Sequence, residues 1–493
     1  MTEGSKQAYG TLAALFVAML LASLDQTVVA AVIPHLIEDL SGAHMFFWVF
    51  SAYMIAELIA MPIFGKCSDL YGRRKVFLTG ISIFIVGSLL CGFAASMTQL
   101  IVFRSIQGIG AGAIMPVAFT IVFEVFPPSL RNRMQSFLAT VFGISSVMGP
   151  VLGAYLAAAL SWRWIFYINL PLGLLAVGLL IVNYREERKV IPQRMDVWGL
   201  LFMFAGVGSL LFAVELYTAT QSWLSLPVMG LFSAAIVFLG LFIRVESRHP
   251  DPFIPLGLFR QIRFAAGQAV GFLQGVVMMA VISFMPLYVQ WAEGGERTEA
   301  GMVIMPMMIS IVVGSYIGGK LTEHLNFRHM AILSGGVIII GCGGLALFIS
   351  SFSHLIVYAM MAVLGLGFGL TFPLLFTASL HGAGPQHVGT INALIPFFRS
   401  IGGAVGVAIL GAVQTYRLDA TMKEGASESV AWTQSIELVL QSVWFVAVLA
   451  LLFGWLLGTE RLRMPPKEGE EGYEEYRRAM AAQTGSAESS GHA

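Results

Sequence analysis

Long apolar runs, each bounded by a short polar or Pro/Gly-rich break, dominate the hydropathy pattern of this chain. A helix of about 20 apolar residues spans the roughly 30 Å hydrocarbon core of a bilayer. Such runs occur at about residues 10–33, 46–65, 76–95, 99–122, 134–160, 165–184, 196–216, 223–243, 264–290, 299–319, 329–350, 354–377, 389–414 and 435–457. The pattern predicts an all-α polytopic membrane protein with 14 transmembrane helices. Because that number is even, both termini are expected on one side.

The composition supports lipid as the solvent of this chain. Hydrophobic residues make up 57% of the 493 positions and charged residues only 11%, with a mean hydropathy of +0.80, which excludes an ordinary soluble protein. The first apolar run is too long for a cleavable signal and lacks an A-x-A exit, so we expect a retained helix. Cys67, Cys91 and Cys342 are scattered without metal-ligand spacing, so the sequence indicates no metal and no cofactor.

The distribution of positive charge gives the orientation of the predicted helices. With the N-terminus inside, 22 of the 28 lysines and arginines fall in inner segments. Four fall in outer loops, and two, Arg104 and Arg399, lie within predicted helices. Because cytoplasmic loops carry the excess of Lys and Arg, both termini are expected to be cytoplasmic.

The connection between the second and third runs carries an unusual density of charge. Residues 65–75 fit the pattern G-x-x-x-D-x-x-G-R-R-[RK] at Gly65, Asp69, Gly72, Arg73 and Arg74. This resembles the signature loop of the major facilitator superfamily, and the charge distribution places it on the cytoplasmic side. We interpret it as a gating loop. Asp69 is expected to cap or pair near the cytoplasmic ends of neighbouring helices, and Arg73 is expected to engage Glu124 at the inner end of the fourth helix.

Three further motifs resemble the fourteen-span drug:proton antiporter family within that superfamily. L-D-x-T-V-V occupies residues 24–29 and W-R-W-x-F-x-[IV]-N-x-P occupies residues 162–171. The antiporter motif G-P-x-x-G stands at Gly149, Pro150 and Gly153, and the resemblance links it with export. Ala154 stands where that family often has another glycine, a mild departure.

The resemblance implies a major facilitator fold, built from two six-helix halves with two inserted helices. The expected divisions are an N-terminal half at 1–184, inserted helices 7 and 8 with flanking cytoplasmic loops at 185–262, and a C-terminal half at 263–458. Residues 459–493 are acidic and Gly/Ser-rich, which predicts a disordered cytoplasmic tail.

Two carboxylates, Asp25 and Glu57, lie deep within the first and second predicted helices. At 1.5 Å per residue, Asp25 and Glu57 lie about 12 Å and about 16 Å from the outer face, on sequential helices. Acids at that depth are expensive to insert and usually face a cavity. Burial favours their neutral form, so both are candidates for proton coupling. A packing role remains open for each, and the family pattern does not require an acid at position 57.

Two arginines accompany these acids. Arg104 opens an R-x-x-Q-G-x-G-x-G string that resembles the superfamily motif whose arginine is associated with proton transfer. Because an arginine favours the ionised form of a nearby carboxylate, Asp25 is its natural partner. Asn392 and Arg399, in the thirteenth run, resemble the R-x-x-G-G element and its surroundings. Whether Arg399 pairs, binds substrate or contacts backbone carbonyls stays open at this point.

The sequence contains no G-x-x-x-x-G-K-[ST] loop and no nucleophile–base constellation, so neither ATP hydrolysis nor another enzymatic activity is expected. The preferred hypothesis is proton-coupled efflux of lipophilic, often cationic drugs across the bacterial inner membrane by alternating access. An exporter specific for one antibiotic, siderophore or metabolite is the alternative, and a non-transporting sensor or flippase accessory is a third reading. The expected partners are protons, small lipophilic or cationic substrates and membrane lipids, with no nucleic acid, and we expect a monomer.

Overall fold

The computed structural model is all-α and describes residues 3–40, 45–186, 196–220, 225–249, 252, 254–292, 302–322, 324–349, 354–380 and 388–460. Its helices are Glu3–Ala31 (α1), Ile33–Leu40 (α2), Phe46–Tyr71 (α3), Arg73–Gly92 (α4), Met97–Val125 (α5), Pro128–Ala159 (α6), Trp164–Tyr167 (α7), Asn169–Asn183 (α8), Val197–Thr220 (α9), Leu226–Glu246 (α10), Ile262–Leu287 (α11), Met305–Leu321 (α12), Phe327–Phe348 (α13), His354–Leu380 (α14), Val388–Lys423 (α15) and Glu428–Trp455 (α16). A 3-10 helix at Leu256–Arg260 precedes α11, and a π-helical turn at Tyr288–Ala292 follows it.

Within the described residues, 12 helices are long and apolar enough to cross a membrane. The runs predicted at 134–160 and 299–319 coincide with α6 and α12, which are helical but are not among those 12. At 17 residues, α12 is shorter than a usual span of about 20. A membrane protein with 12 candidate spans is therefore established, while the count of 14 stays a prediction.

Some helices extend beyond the apolar runs that predicted them. α15 continues through Arg417 to Lys423 instead of ending near residue 414. A short helix, α2, follows α1 in a segment that was predicted as an outer loop, and it buries Leu36 and Leu40. Hydropathy detects the stretch that suits lipid, whereas a helix continues as long as its backbone and one apolar face are supported. The boundaries at these ends were therefore wrong by up to several residues.

The same packing pattern occurs in the first six long helices and in the last six. Among the first six, α3 and α4 both pack on α5, and α6 and α8 both pack on α1. Among the last six, α12 and α13 both pack on α14, and α15 and α16 both pack on α11. Each set thus joins its second and third helices to its fourth, and its fifth and sixth helices to its first, as expected for an internal structural repeat.

The two sets of helices contact each other through their second and fifth helices. The second helix of each set packs against the fifth helix of the other, so α3 contacts α15 and α12 contacts α6. α9 and α10 pack mainly on each other, and α9 also touches α3 and α15. The inserted pair therefore lies against one of the two seams between the repeats. Most of the predicted C-terminal tail, from residue 461 onward, lies outside the described residues.

Candidate functional site

Asp25 lies at the centre of a buried polar cluster to which α1, α5 and α8 contribute. Only 3% of Asp25 and 1% of Arg104 is exposed. Arg104 Nη1 forms an ion pair with Oδ2 of Asp25. Gln107 Nε2 and Asn169 Nδ2 donate hydrogen bonds to Oδ1 over 2.8 and 3.0 Å. The predicted pairing of Asp25 with Arg104 is present.

The guanidinium of Arg104 is held on several sides. Its Nε donates to the backbone oxygen of Val49 over 3.3 Å, and its Nη1 also donates to Gln107 Oε1 over 2.8 Å. Its Cζ lies 4.0 Å from the centroid of the Tyr53 ring. Since Val49 and Tyr53 both belong to α3, the arginine connects that helix to the carboxylate on α1. A buried cation with this many partners is held in one orientation.

Glu57 has a much more open environment than Asp25. Its Oε2 accepts a hydrogen bond of 2.7 Å from Nε2 of Gln26, the residue that directly follows Asp25 in α1. Glu57 is partly exposed and Gln26 is exposed, whereas Asp25 is sealed among its donors. The two acids predicted at similar depth therefore lie on facing segments of α1 and α3. Asp25 is buried, and Glu57 is partly exposed.

Asp69 of the signature loop binds the start of a helix in the other repeat. Its Oδ1 accepts from the backbone N–H of Gly389 over 3.0 Å. Its Oδ2 accepts from the Thr390 N–H over 2.8 Å and from the Thr390 hydroxyl over 3.1 Å. The first N–H groups of a helix have no partner within the helix, and their positive partial charge favours an anion. Asp69 thus caps α15, which matches the expected contact with a neighbouring helix end.

The ion pair predicted between Arg73 and Glu124 is also present. Arg73 is 3% exposed and begins α4, while Glu124 lies near the end of α5. The hydroxyl of Tyr184 donates to Glu124 Oε2 over 2.6 Å. Burial, together with the neighbouring Glu124 carboxylate, raises the pKa of Tyr184, so this phenol remains a neutral donor. The pair therefore ties the loop to two other helices of the same repeat.

The prediction of a loop at residues 65–75 was wrong in extent, because α3 continues to Tyr71 and α4 begins at Arg73. Gly72 alone separates the two helices, in a left-handed conformation with φ of +95°. A side chain there would be strained, and its Cβ would lie 2.8 Å from Glu186 Oε2. The Glu186 carboxylate occupies that space to accept from the N–H groups of Arg73 and Arg74 over 2.8 and 3.2 Å. Arg74 Nη2 in turn donates to the Ile181 carbonyl over 2.9 Å. The glycine thus lets a carboxylate cap α4 at close range.

The antiporter motif packs directly on the segment of α1 that carries Asp25. A Cβ at Gly149 would lie only 1.9 Å from Oγ1 of Thr27. That hydroxyl also donates to the Ser145 carbonyl over 3.0 Å. Gly153 is buried one turn further on, and Pro150 lies between the two glycines within α6. The physical role visible for Gly149 is the close approach of α6 to α1.

Asn392 and Arg399 do not join the cluster around Asp25. Asn392 is fully buried, and its Nδ2 donates to Oγ1 of Thr120 on α5 over 3.1 Å. Arg399 lies two turns further along α15, with its guanidinium carbon 4.3 Å from the centroid of Phe372. The structure therefore separates the predicted cavity residues into three places. Asp25, Arg104 and Glu57 lie together, Asn392 lies between the repeats, and Arg399 faces a different pocket.

Sequence reasoning missed the roles of Gln107, Asn169 and Glu186. The first two lie inside motifs that were recognised, but no role was predicted for either side chain. An amide among apolar residues was the available signal, because a buried amide needs partners. Nothing in the sequence distinguished Glu186 from other charges of a cytoplasmic loop. Among the described residues, no group of three or more His, Cys, Asp or Glu is placed to hold a metal ion.

Comparison with known proteins agrees with this arrangement of two packed six-helix sets. The family model described as Major Facilitator Superfamily matches residues 15–407. The chain belongs to the Major Facilitator Superfamily. Members of this superfamily are transporters, so the protein is not an enzyme.

Two curated relatives of this superfamily member come from Bacillus subtilis (strain 168). "Multidrug resistance protein 3" is 39% identical over 401 residues, which cover 81% of this chain and 78% of the relative. "Multidrug transporter protein MdtP" is 36% identical over 424 residues, covering 85% of this chain and 77% of the relative. The chain is thus a multi-pass membrane protein whose relatives include bacterial multidrug resistance proteins.

Solved structures of this superfamily show the same fold at low sequence identity. The human organic anion transporter MFSD10 (TETRAN) superposes with a TM-score of 0.66 and 13% identity, over 91% of this chain and 99% of that one. The proton:xylose symporter XylE, bound to 6-bromo-6-deoxy-D-glucose, gives a TM-score of 0.62 and 14% identity, over 92% of this chain and 96% of that one. These likenesses establish the fold alone.

Proposed function

We propose that this protein exports lipophilic, often cationic drugs across the bacterial inner membrane in exchange for protons. The observation that carries the proposal is the pair of acids at the contact of α1 and α3. Asp25 is ion-paired and buried, and Glu57, bonded to the next residue along α1, is partly exposed. Intramembrane acids are expensive and usually serve an ion or substrate pathway. The multidrug resistance names of the two bacterial relatives support drugs as the cargo.

The different environments of Asp25 and Glu57 suggest different roles in proton coupling. Arg104, Gln107 and Asn169 occupy the oxygens of Asp25, whereas Glu57 is partly exposed, so we assign the first contact with an entering proton to Glu57. The side chain bonded to Glu57 belongs to Gln26, the residue that follows Asp25, so the two acids lie close together. A neutralisable carboxylate that also attracts a cation fits exchange of protons for cationic compounds.

The proposed topology has 14 spans with both termini in the cytoplasm, α6 and α12 being counted with the 12 candidate helices. The signature loop then lies on the cytoplasmic side. There Asp69 caps α15, and the Oγ of Ser68 and the backbone of Gly65 lie within contact distance of Gly389. Alternating access requires these contacts between repeats to break when the cytoplasmic side opens. The loop therefore acts as a cytoplasmic gate in this proposal.

The test is transport by the purified protein in liposomes. An imposed pH gradient should drive accumulation of rhodamine 123, a lipophilic cationic dye, and Asp25→Asn should abolish the gradient-driven part. Glu57→Gln should weaken it while leaving the ion pair of Asp25 intact. Unchanged gradient-driven transport in Asp25→Asn would show that this acid has no role in coupling.

Asp39→Asn is the matched control. Asp39 is an exposed acid in α2, where hydrogen bonds from the Trp162 indole and the Arg163 guanidinium lower the pKa of its carboxyl. It stays ionised at neutral pH and lies outside the cluster around Asp25. Its loss removes one negative charge from the same protein, and transport in this variant should match that of the unmodified chain.

A further inference from the structure

A pocket between the two repeats combines aromatic walls with a single cation. Its lining includes Met115 of α5 from the first repeat, together with Gln274, Phe372, Phe376, Pro396 and Arg399 from the second. The pocket encloses about 390 Å³, including the part that opens to solvent. Small-molecule sites are mostly apolar with a few polar groups that fix orientation, and this lining has that composition.

Arg399 is partly exposed and has no carboxylate partner among the described residues, which distinguishes it from two buried arginines. Arg73 is paired with Glu124 and Arg104 with Asp25. Among the described residues, the guanidinium of Arg399 contacts the ring of Phe372, at 4.3 Å from the centroid. A charge in apolar surroundings is costly unless it is paired, so its counter-charge is expected to come from outside the protein.

The position of Arg399 along α15 places it away from the contact that joins the two repeats. Asn392, seven residues earlier, is bonded to Thr120 across the interface. At 1.5 Å per residue, Arg399 lies about 10 Å further along the helix, beyond that contact. Arg399 instead lines the pocket that residues of both repeats form.

We propose that this pocket binds aromatic compounds that carry a carboxylate. The carboxylate pairs with Arg399, whose planar guanidinium can donate two parallel hydrogen bonds to it. The aromatic body packs among Phe372, Phe376 and Met115. This inference rests on the proposed export function and narrows its substrate class to compounds that carry a carboxylate.

Two dyes that differ at one group provide the test. Rhodamine 110 has a free carboxylate, and rhodamine 123 is its methyl ester. Binding of each dye to the purified protein is measured by fluorescence polarisation for the unmodified chain, Arg399→Gln, Arg399→Lys and Arg417→Gln. Arg417 is the matched control because it lies on the same helix and contacts Gln434 outside the pocket. Gel filtration and Tm of each variant report on folding.

The unmodified protein should bind rhodamine 110 about tenfold or more tightly than its ester, as expected for one charge-assisted contact. Arg399→Gln should remove this preference and leave affinity for rhodamine 123 within about twofold, since the ester makes no ion pair. Arg399→Lys should restore part of the preference, and Arg417→Gln should keep all of it. Equal affinities in the unmodified protein, or equal losses for both dyes in Arg399→Gln, would overturn the proposal.

A competition measurement on the unmodified protein covers the case in which Arg399 variants fail to fold. Naphthoate should displace rhodamine 110, and naphthamide, its neutral counterpart, should not. If chloride competes as well as naphthoate, the cation holds an inorganic ion and the proposal is wrong. A failure of this inference can be distinguished from a failure of the export proposal. Transport of both dyes without a carboxylate preference refutes only this inference, whereas absence of gradient-driven transport of either dye refutes export.

Discussion

The contact between Asp69 and α15 provides the sharpest test of the cytoplasmic gate. Asp69→Asn replaces two acceptor oxygens by one oxygen and one amide N–H group. The carboxylate now accepts from two backbone N–H groups and one hydroxyl, of Gly389 and Thr390. The asparagine can keep only the bonds on one side, because its amide would point N–H against N–H on the other. Both the charge and at least one bond are lost.

The magnitude follows from those bonds. A hydrogen bond to a charged group contributes about 1.5–3 kcal/mol. Counting a single lost bond, the open cytoplasmic state should gain about 1.5 kcal/mol relative to the closed one, or about tenfold in population. Thr390→Val is the graded comparison, because it removes the hydroxyl bond and keeps both backbone bonds. Its effect should be smaller than that of Asp69→Asn, about 0.5–1.5 kcal/mol.

Alkylation of a buried cysteine measures this population. Val388 begins α15 and is 3% exposed, so Val388→Cys should react slowly with N-ethylmaleimide while the contact is closed. The assay uses a background in which Cys67, Cys91 and Cys342 are replaced. Asp69→Asn should raise the alkylation rate about tenfold and slow turnover, with substrate affinity of a fixed state nearly unchanged. An unchanged alkylation rate, or a selective loss of substrate affinity, would refute the gate.

Two further predictions concern packing and buried charge. Gly149→Ala should lower Tm and transport, because the new Cβ would lie 1.9 Å from Thr27 Oγ1. In Gly178→Ala the new Cβ has no atom within 4 Å, so this control should change neither quantity. Thermal unfolding and dye transport measure the two effects. Glu124→Gln leaves Arg73 buried without a counter-charge, which should cost about 1–3 kcal/mol and lower Tm; an unchanged Tm would mean that this ion pair contributes nothing to stability.

Much of the fold followed from the sequence because the bilayer imposes simple rules. Each predicted apolar run coincides with a helix, and the contacts of Arg73 with Glu124 and of Asp69 with a helix end were expected from the signature loop. The repeat packing was not predictable from hydropathy. Apolar periodicity identifies a lipid-compatible segment, but it does not say which neighbour a helix touches. Helix partners in a membrane depend on small residues and close approach, as at Gly149.

The sequence predicts how deep a side chain lies in the membrane better than it predicts the direction in which that side chain points. Each helical residue advances 1.5 Å, so Asp25 and Glu57 could be placed at similar depth. The direction of a side chain depends on helix tilt and packing, which a single sequence does not define. The difference in side-chain direction gives Asp25 and Glu57 different surroundings. Asp25→Asn removes the only carboxylate that pairs with Arg104 among the described residues. Glu57→Gln removes a charge whose hydrogen-bond partner is Gln26. Coupling lost in the first variant alone would therefore assign the essential charge to the buried pair, while loss in both would require protonation at the open acid.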